Sequence, residues 1–145
     1  ADQFRLVPDM PVRLELTKHG ITGIEGTTDQ VCNATRALVI QLATHHAPNE
    51  VKLAAVYHTR EHDQWEWLRW LAHVLTSDHK ARLLAADAPA AHRLLLSLDA
   101  ILDQRRQLAK ESHSGDAKPV LLPVYVLIFI VLMFFMVEKT FRLVR

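Results

Sequence analysis

The chain has 145 residues and a formal net charge of +1; half of its residues are hydrophobic and 23% are charged. This profile is typical of a globular domain with a core. It excludes a disordered chain and gives no electrostatic reason to expect nucleic acid as a partner. The single cysteine, Cys32, excludes an internal disulfide and is expected to be a small buried hydrophobe. The opening residues Ala1–Arg5 contain neither an initiator methionine nor an apolar signal segment, so we expect a fragment of a longer protein.

The first third of the chain predicts two short strands followed by a helix. Val12–Leu16 alternates apolar and polar residues, and Ile21–Ile24 predicts a second strand that ends at Gly26. Thr28 or Asp29 is expected to cap the helix, because either side chain can accept a hydrogen bond from a free backbone N–H group. The predicted apolar face of this helix consists of Val31, Ala34, Leu38 and Leu42.

The rest of the pattern alternates strands with helices. Strands are predicted at Val51–Tyr57 and Ala81–Ala86, helices at Trp65–Thr76 and from Asp87 to about Glu111, and a polar linker at 112–118. Val51–Tyr57 is nearly all apolar after Lys52, as in a parallel sheet that is covered on both faces. This order predicts an α/β fold with a mostly parallel sheet and helices on both of its faces.

An apolar run at 120–137 has two interpretations. As a membrane anchor, it is near the lower limit of length that spans a bilayer, and basic residues follow it. As part of a domain, Tyr125–Val131 is the central strand and 132–144 a turn and a helix that pack on the sheet. The β-branched and aromatic residues of the first half favour the strand. The anchor interpretation makes the chain a tail-anchored protein whose cytoplasmic core survives deletion after Lys118, whereas the strand interpretation predicts that this deletion unfolds the sheet.

Two further patterns suggest sites. His58–His62 matches H-x-x-E-H, a zinc-peptidase motif, but it directly follows a strand, so we expect a solvated loop and no metal site. Trp65, Trp67 and Trp70 are offset by two and five residues, so they cannot all share one helix face. At least one of them should therefore point away from its own core, unless the helix is covered on two sides. We expect core packing and, as an alternative, a domain interface formed by Trp65, Trp67, Arg69 and Trp70.

Several stretches resemble one family at the level of residues. Trp65–His73 (WEWLRWLAH) is the most specific, with Ala72 where the family usually has proline. The other matching stretches are Gly20–Gly26, Ala37–Leu53, Arg82–Asp87, Leu94–Arg106 and Pro123–Ile130. On these residues the chain resembles the FtsK/SpoIIIE-type ATPases of type VII secretion, the EssC/EccC family. The tail at 132–137 is more apolar than the family pattern.

The resemblance implies a single degenerate RecA-like domain over residues 1–145, a three-layer fold at the cytoplasmic face of the plasma membrane. Such a module lies between the transmembrane helices and the first ATPase domain of the parent protein. Its implied partners are the adjacent ATPase domains, the transmembrane part and other secretion subunits, within a hexameric motor. Its implied role is structural and regulatory, because it passes conformational change between the membrane part and the active ATPase domains.

The sequence lacks the residues of a working ATPase. A P-loop needs a lysine to neutralise phosphate charge, and a Walker B strand needs an aspartate to organise Mg²⁺. The corresponding turn contains Gly23, Gly26, Thr27 and Thr28, without lysine and with Glu25 and Asp29 nearby, and Val126–Val131 contains no aspartate. We therefore expect no bound nucleotide, no other cofactor and no catalysis. The alternative, an active P-loop domain, predicts nucleotide binding that is lost when Thr27 and Thr28 are changed.

Overall fold

The computed structural model describes residues 14–16, 18, 20–112 and 122–130. Contacts within the chain divide it into two compact units, residues 1–34 and 35–145. The helices and strands of the described residues are α1 (Thr28–His45), β1 (Val51–Val56), α2 (His62–Trp65), β2 (Leu84–Ala85), α3 (Ala88–Ser112) and β3 (Val124–Phe129). Short 3₁₀ turns occupy Thr59–Glu61, Glu66–Trp70 and Ala72–Val74.

The described strands form a parallel three-stranded sheet in the order β2-β1-β3. β1 pairs with β3 from Val51↔Val124 to Val56↔Phe129, whereas its ladder with β2 covers only two pairs. The prediction of an α/β fold with a parallel sheet is therefore confirmed. The prediction that Tyr125–Val131 is the central strand is wrong, because β1 is central among the described strands and β3 lies beside it.

The composition of β1 explains its central position. Val51–Ala55 is buried throughout, so this strand is covered on both faces, as an apolar strand of a parallel sheet should be. On one face Ala54 packs with Leu83, Ala85 and Leu94. Lys52 is the exception to the apolar pattern, since it is only 4% exposed. Burial lowers the pKa of the Lys52 ammonium group, because desolvation penalises its charged form.

α3 begins and ends close to the predicted bounds. The Asp87 carboxylate accepts the Ala90 N–H at 2.7 Å, which caps the helix as expected for an aspartate in this position. Its buried face is narrow: Leu94 is buried and Leu98 and Ile101 are half-buried, whereas Leu95, Leu102 and Leu108 are exposed. Arg105 ties the helix to the start of β3, where its guanidinium donates to the Pro123 carbonyl and lies 5.0 Å from the Tyr125 ring centroid.

The two predicted N-terminal strands are wrong wherever the structure describes them. Leu14–Leu16 and Ile21–Ile24 have irregular backbone, and Ile21 is 97% exposed. Val12 and Arg13 lie outside the described residues. An alternating pattern marks a strand only where a neighbouring strand and a core are present to receive it, and within the described residues these segments pair with no strand.

The predicted helix Trp65–Thr76 is also wrong. The chain leaves α2 at Trp65 and continues in two 3₁₀ turns that are separated at Leu71, whose φ/ψ of −79°/130° is extended. Trp65, Leu68 and Val74 are buried, and together with Leu71 they recur every three residues. That spacing matches the 3.0 residues per turn of a 3₁₀ helix rather than the 3.6 of an α-helix. The predicted strand Ala81–Ala86 shortens to β2, and Leu75 forms an antiparallel bridge with Arg82 just before it.

The apolar run forms a strand in the part that is described. β3 occupies residues 124–129, and no helix among the described residues is both long and apolar enough to cross a bilayer. Residues 120, 121 and 131–137 of that run lie outside the described residues. So do the predicted turn and helix at 132–144 and all of the predicted linker after Ser112.

Deletion of β3 should unfold the sheet. A chain that ends at Lys118 leaves β1 without its six-residue ladder, whereas a chain that ends at Ile130 retains it. We expect the shorter chain to lose the cooperative thermal transition that the longer one shows by circular dichroism, because a two-pair ladder with β2 cannot hold β1. Equal unfolding transitions for the two chains would contradict the assignment of β3.

Lys52→Met should stabilise the chain at neutral pH. The folded state binds the Lys52 proton less tightly than the unfolded state, where the pKa is near the ordinary 10.5. The charged form therefore opposes folding at pH 7, and this penalty disappears as the pH rises from the lowered folded-state pKa to the unfolded one. We expect the melting temperature of the variant to exceed that of the natural chain at pH 7 and the gap to shrink towards pH 10.5. Lys110→Met, at an exposed position of α3, is the matched control.

Candidate functional site

The turn that the sequence analysis compared with a phosphate loop leads directly into α1, and its own side chains hydrogen-bond its backbone. The Thr27 N–H donates to Gln30 Oε1 at 3.0 Å, and the Gln30 N–H donates to Thr27 Oγ1 at 3.4 Å. This reciprocal pair is a capping box, so the cap is Thr27 and not Thr28 or Asp29 as predicted. In a phosphate loop the N–H groups at a helix N-terminus point at the ligand. Here Gln30 supplies one of those donors to Thr27 instead.

Charge and spacing around this turn also differ from those of a phosphate loop. The segment Gly23–Gln30 contains no lysine, and Glu25 and Asp29 place negative charge beside the helix start. With Gly26 as the second glycine of G-x-x-x-x-G-K-[ST], the first falls on Ile21. No strand precedes the turn in the described residues 20–27. Gly26 has a local packing role, because a Cβ there would lie 3.0 Å from Gln30 Oε1.

The tryptophan-containing segment follows β1 and places its three indoles in different environments. Trp65 is 1% exposed and belongs to the core. The Arg36 guanidinium lies 5.6 Å from the Trp65 ring centroid, and Arg36 Nη2 donates to the Gln64 carbonyl at 3.4 Å. Trp67 is half-buried. Trp70, by contrast, is 80% exposed, so it is the one of the three tryptophans that is most available to a partner.

Arg69 lies against the Trp70 ring, and Arg82 is hydrogen-bonded to the backbone beside it. The Arg69 guanidinium lies 5.5 Å from the Trp70 ring centroid, and Arg69 Nη1 forms an ion pair with Glu66 Oε1 at 2.7 Å. The Arg82 Nε–H donates to the Arg69 backbone carbonyl at 3.1 Å. We call Trp70, Arg69 and Arg82 the indole–arginine patch. Its stacked and hydrogen-bonded side chains are already ordered, which reduces the entropy that a partner would have to overcome on binding.

The electrostatics of the patch are unbalanced towards positive charge. Glu66 compensates Arg69, but no carboxylate of the described residues lies within 4.0 Å of the Arg82 guanidinium. The same pair acts on the buried phenol of Tyr57 at the end of β1. Burial raises the pKa of Tyr57, the Glu66 carboxylate raises it further, and Arg69 opposes both. One positive charge beside an exposed indole is thus left for a partner.

The histidine motif does not form a metal centre in the described part of the chain. His58 and His62 are exposed while Glu61 between them is buried, in and beside the 3₁₀ turn Thr59–Glu61. His58 Nδ1 accepts the Arg60 N–H at 3.1 Å, which is a local cap. Among the described residues no group of three His, Cys, Asp or Glu side chains could hold a metal ion.

Sequence reasoning did not identify Arg82 as part of a site. Arg82 is 13 positions from Arg69, and only the 3₁₀ turns and the Leu75–Arg82 bridge bring the two together. The predicted helix over Trp65–Thr76 gives no reason to expect Arg82 next to Arg69. The three-residue spacing of Trp65, Leu68 and Leu71 is the sequence signal that could have indicated the 3₁₀ turns.

Comparison with known proteins identifies relatives in one kind of system. The chain is 36% identical over 67 residues to the ESX-4 secretion system protein EccC4 of Mycobacterium tuberculosis, which covers 46% of this chain. It is 35% identical over 69 residues (48% of this chain) to the ESX secretion system protein EccC of Thermomonospora curvata. The EccC protein of Geobacillus thermodenitrificans is 27% identical over 105 residues, or 72% of this chain.

This chain contains a segment of the EccC/EssC family. The matched parts span only 5–7% of the length of these three relatives. No protein-family model matches the EccC/EssC segment, and no solved structure matches it. The EccC relatives confirm the family resemblance that residues such as Trp65–His73 suggested.

Two tryptophans of this EccC/EssC segment should differ sharply in their contribution to stability. Trp65→Ala opens a cavity in the core and should lower the free energy of unfolding by about 3–5 kcal/mol. Trp70→Ala removes an exposed ring and should change it by less than about 0.5 kcal/mol. Urea denaturation of both variants measures the difference. A large loss of stability in Trp70→Ala would show that this indole is a structural residue.

Proposed function

We propose that this chain is a non-catalytic structural and regulatory segment of a type VII secretion motor ATPase. In this role it passes conformational change between the membrane part of a longer protein and its active ATPase domains. Its partners would be those domains, the transmembrane part and other secretion subunits. We place it at the cytoplasmic face of the plasma membrane, within a hexameric motor. In this proposal the segment itself has a degenerate RecA-like, three-layer fold.

The capping box at the start of α1 is the observation on which the non-catalytic role rests. Phosphoryl transfer depends on positioned positive charge and open backbone donors around the phosphates. In this chain Thr27 and Gln30 satisfy each other, and Glu25 and Asp29 add negative charge. A nucleotide would have to displace the cap and overcome this repulsion without a lysine to compensate it.

The end of the apolar strand supports the same conclusion. In P-loop ATPases an acidic residue at the end of a strand holds Mg²⁺. β3 and the residue after it, Ile130, contain no carboxylate. Neither phosphate nor metal therefore has a charged protein ligand at the positions where such an enzyme would supply one, and a coupling role requires neither.

The indole–arginine patch supplies the contact surface that a coupling segment needs. Tryptophan and arginine are the residues most enriched among the side chains that dominate binding energy at protein interfaces. Trp70 is exposed, and its neighbour Arg69 is held by Glu66. Of the predicted interface residues, we assign this role to Trp70 and Arg69, with Trp67 beside them and Trp65 supporting them from the core.

Nucleotide titration tests the non-catalytic role. We expect the full 145-residue chain to show no binding of Mg-ATP by isothermal titration calorimetry at protein concentrations that detect millimolar affinity. The variant in which Thr27 and Thr28 are both alanine should give the same flat titration. Binding by the natural chain that this double variant abolishes would refute the proposal and support an active phosphate loop.

Thr27→Lys is the matched gain-of-function control. It supplies the missing ammonium group between Gly26 and Thr28 and removes the hydroxyl of the cap. If the turn lacked only its lysine, this variant would bind Mg-ATP. We expect it not to bind, because Ile21 occupies the position of the first glycine and Glu25 and Asp29 remain.

A further inference from the structure

The solvent-facing side of α3 is a second exposed surface with its own chemistry. Leu95, Asp99 and Leu102 follow one another at spacings of four and three residues, so they share one helix face. Leu96 and Asp103 flank them. Leu95, Leu96 and Leu102 are 41%, 56% and 49% exposed, and both aspartates are exposed. We call these five residues the leucine–aspartate face.

This face carries unbalanced negative charge. Asp103 forms an ion pair with Arg106 at 2.7 Å. No cation of the described residues lies within 4.0 Å of the Asp99 carboxylate. The face therefore presents apolar side chains around one uncompensated carboxylate, whereas the indole–arginine patch presents one large apolar ring beside one uncompensated guanidinium.

The two surfaces complement each other. An indole can lie against the leucine side chains, and an arginine next to it can form a bidentate pair with a carboxylate on the same helix face. They do not cover each other within one copy, because Trp70 remains 80% exposed and the leucines remain open to solvent. Both surfaces belong to the unit at residues 35–145. The pairing is thus available between copies.

We propose that the indole–arginine patch of one copy docks on the leucine–aspartate face of a second copy of this chain, with Trp70 between Leu95 and Leu102 and Arg82 paired with Asp99. This inference deepens the interface part of the proposed function and rests on it. The contact is heterologous, because each copy uses a different surface on either side. Heterologous contacts leave one donor and one acceptor surface free at the ends, so they continue into rings or open chains.

Sedimentation velocity of the full chain gives the first test. We expect the weight-average sedimentation coefficient to rise with concentration up to the millimolar range and to pass beyond that of a dimer. Trp70→Ala, which removes the ring, and Leu102→Lys, which places charge in the acceptor face, should each weaken self-association by about tenfold or more. Ile40→Lys, at an exposed position of α1 outside both surfaces, should leave it unchanged.

Mixing the two defective variants gives the decisive test. A Trp70→Ala copy retains its acceptor face, and a Leu102→Lys copy retains its donor patch. The mixture should form a 1:1 dimer although each variant alone is monomeric, and the dimer cannot extend. An isologous contact or a folding defect would not be restored by mixing, and failure of restoration overturns the proposal.

A charge swap tests the predicted ion pair. Arg82→Glu and Asp99→Arg should each weaken association. An equimolar mixture of these two variants should restore it, because the carboxylate introduced in one copy then faces the guanidinium introduced in the other across the contact. Arg60→Glu, an exposed arginine outside the patch, is the matched control. If Arg60→Glu alone weakened association as much as Arg82→Glu does, loss of positive charge in general would explain the effect and the assigned pairing would be contradicted.

The outcome separates this proposal from the one on which it rests. A natural chain that stays monomeric at millimolar concentration overturns docking between copies and leaves the nucleotide result standing. Binding of Mg-ATP refutes the non-catalytic role and leaves the docking result standing. Circular dichroism spectra and melting curves that match the natural chain verify that each variant is folded.

Discussion

The described fold depends on the parallel ladder between β1 and β3. Two segments that lie far apart in the chain meet in register over six pairs, and this places a strand that is buried on both faces between two neighbours. α3 packs against the same layer through Leu94, and Arg105 fastens it to the entry of β3. Because the sheet fixes the end of β1, it also fixes the start of the 3₁₀ segments that follow and thereby positions their tryptophans.

Sequence patterns predicted the elements whose burial or end residues are visible in the local sequence. β1 was recognisable from its apolar run and α3 from Asp87 and Pro89 at its start. The prediction of the N-terminal strands was wrong because the alternation of apolar and polar residues at Leu14–Leu16 does not reveal whether a partner strand exists. The prediction of a Trp65–Thr76 helix was wrong because apolar residues three apart fit an α-helix as well as 3₁₀ turns. The extended backbone at Leu71, which interrupts the segment, is visible only in the structure. Arg82 could not be predicted, since its position follows from tertiary contacts alone.

The start of α1 and the indole–arginine patch differ in how their polar and apolar groups are used. At the start of α1, the Thr27 and Gln30 N–H groups are each satisfied by the other residue's side chain. At the patch the opposite holds, since Trp70 is exposed and Arg82 lacks a carboxylate among the described residues. The turn thus uses its polar groups in its own hydrogen bonds, whereas the patch exposes an apolar ring and a guanidinium to solvent. This difference agrees with the proposed function, in which the segment acts through contacts with other proteins.

The different exposure of Trp65 and Trp70 also allows the intrinsic tryptophan fluorescence of the chain to report on its state. A fully enclosed indole emits at shorter wavelength and is shielded from dissolved quenchers, while an indole in water emits further to the red and is quenched readily by acrylamide. With Trp65 1% and Trp70 80% exposed and Trp67 half-buried, the steady-state emission contains a shielded component from the core and a component at the surface that dissolved quenchers reach. Spectroscopy on the unlabelled natural chain can therefore separate loosening of the interior from coverage of its exterior.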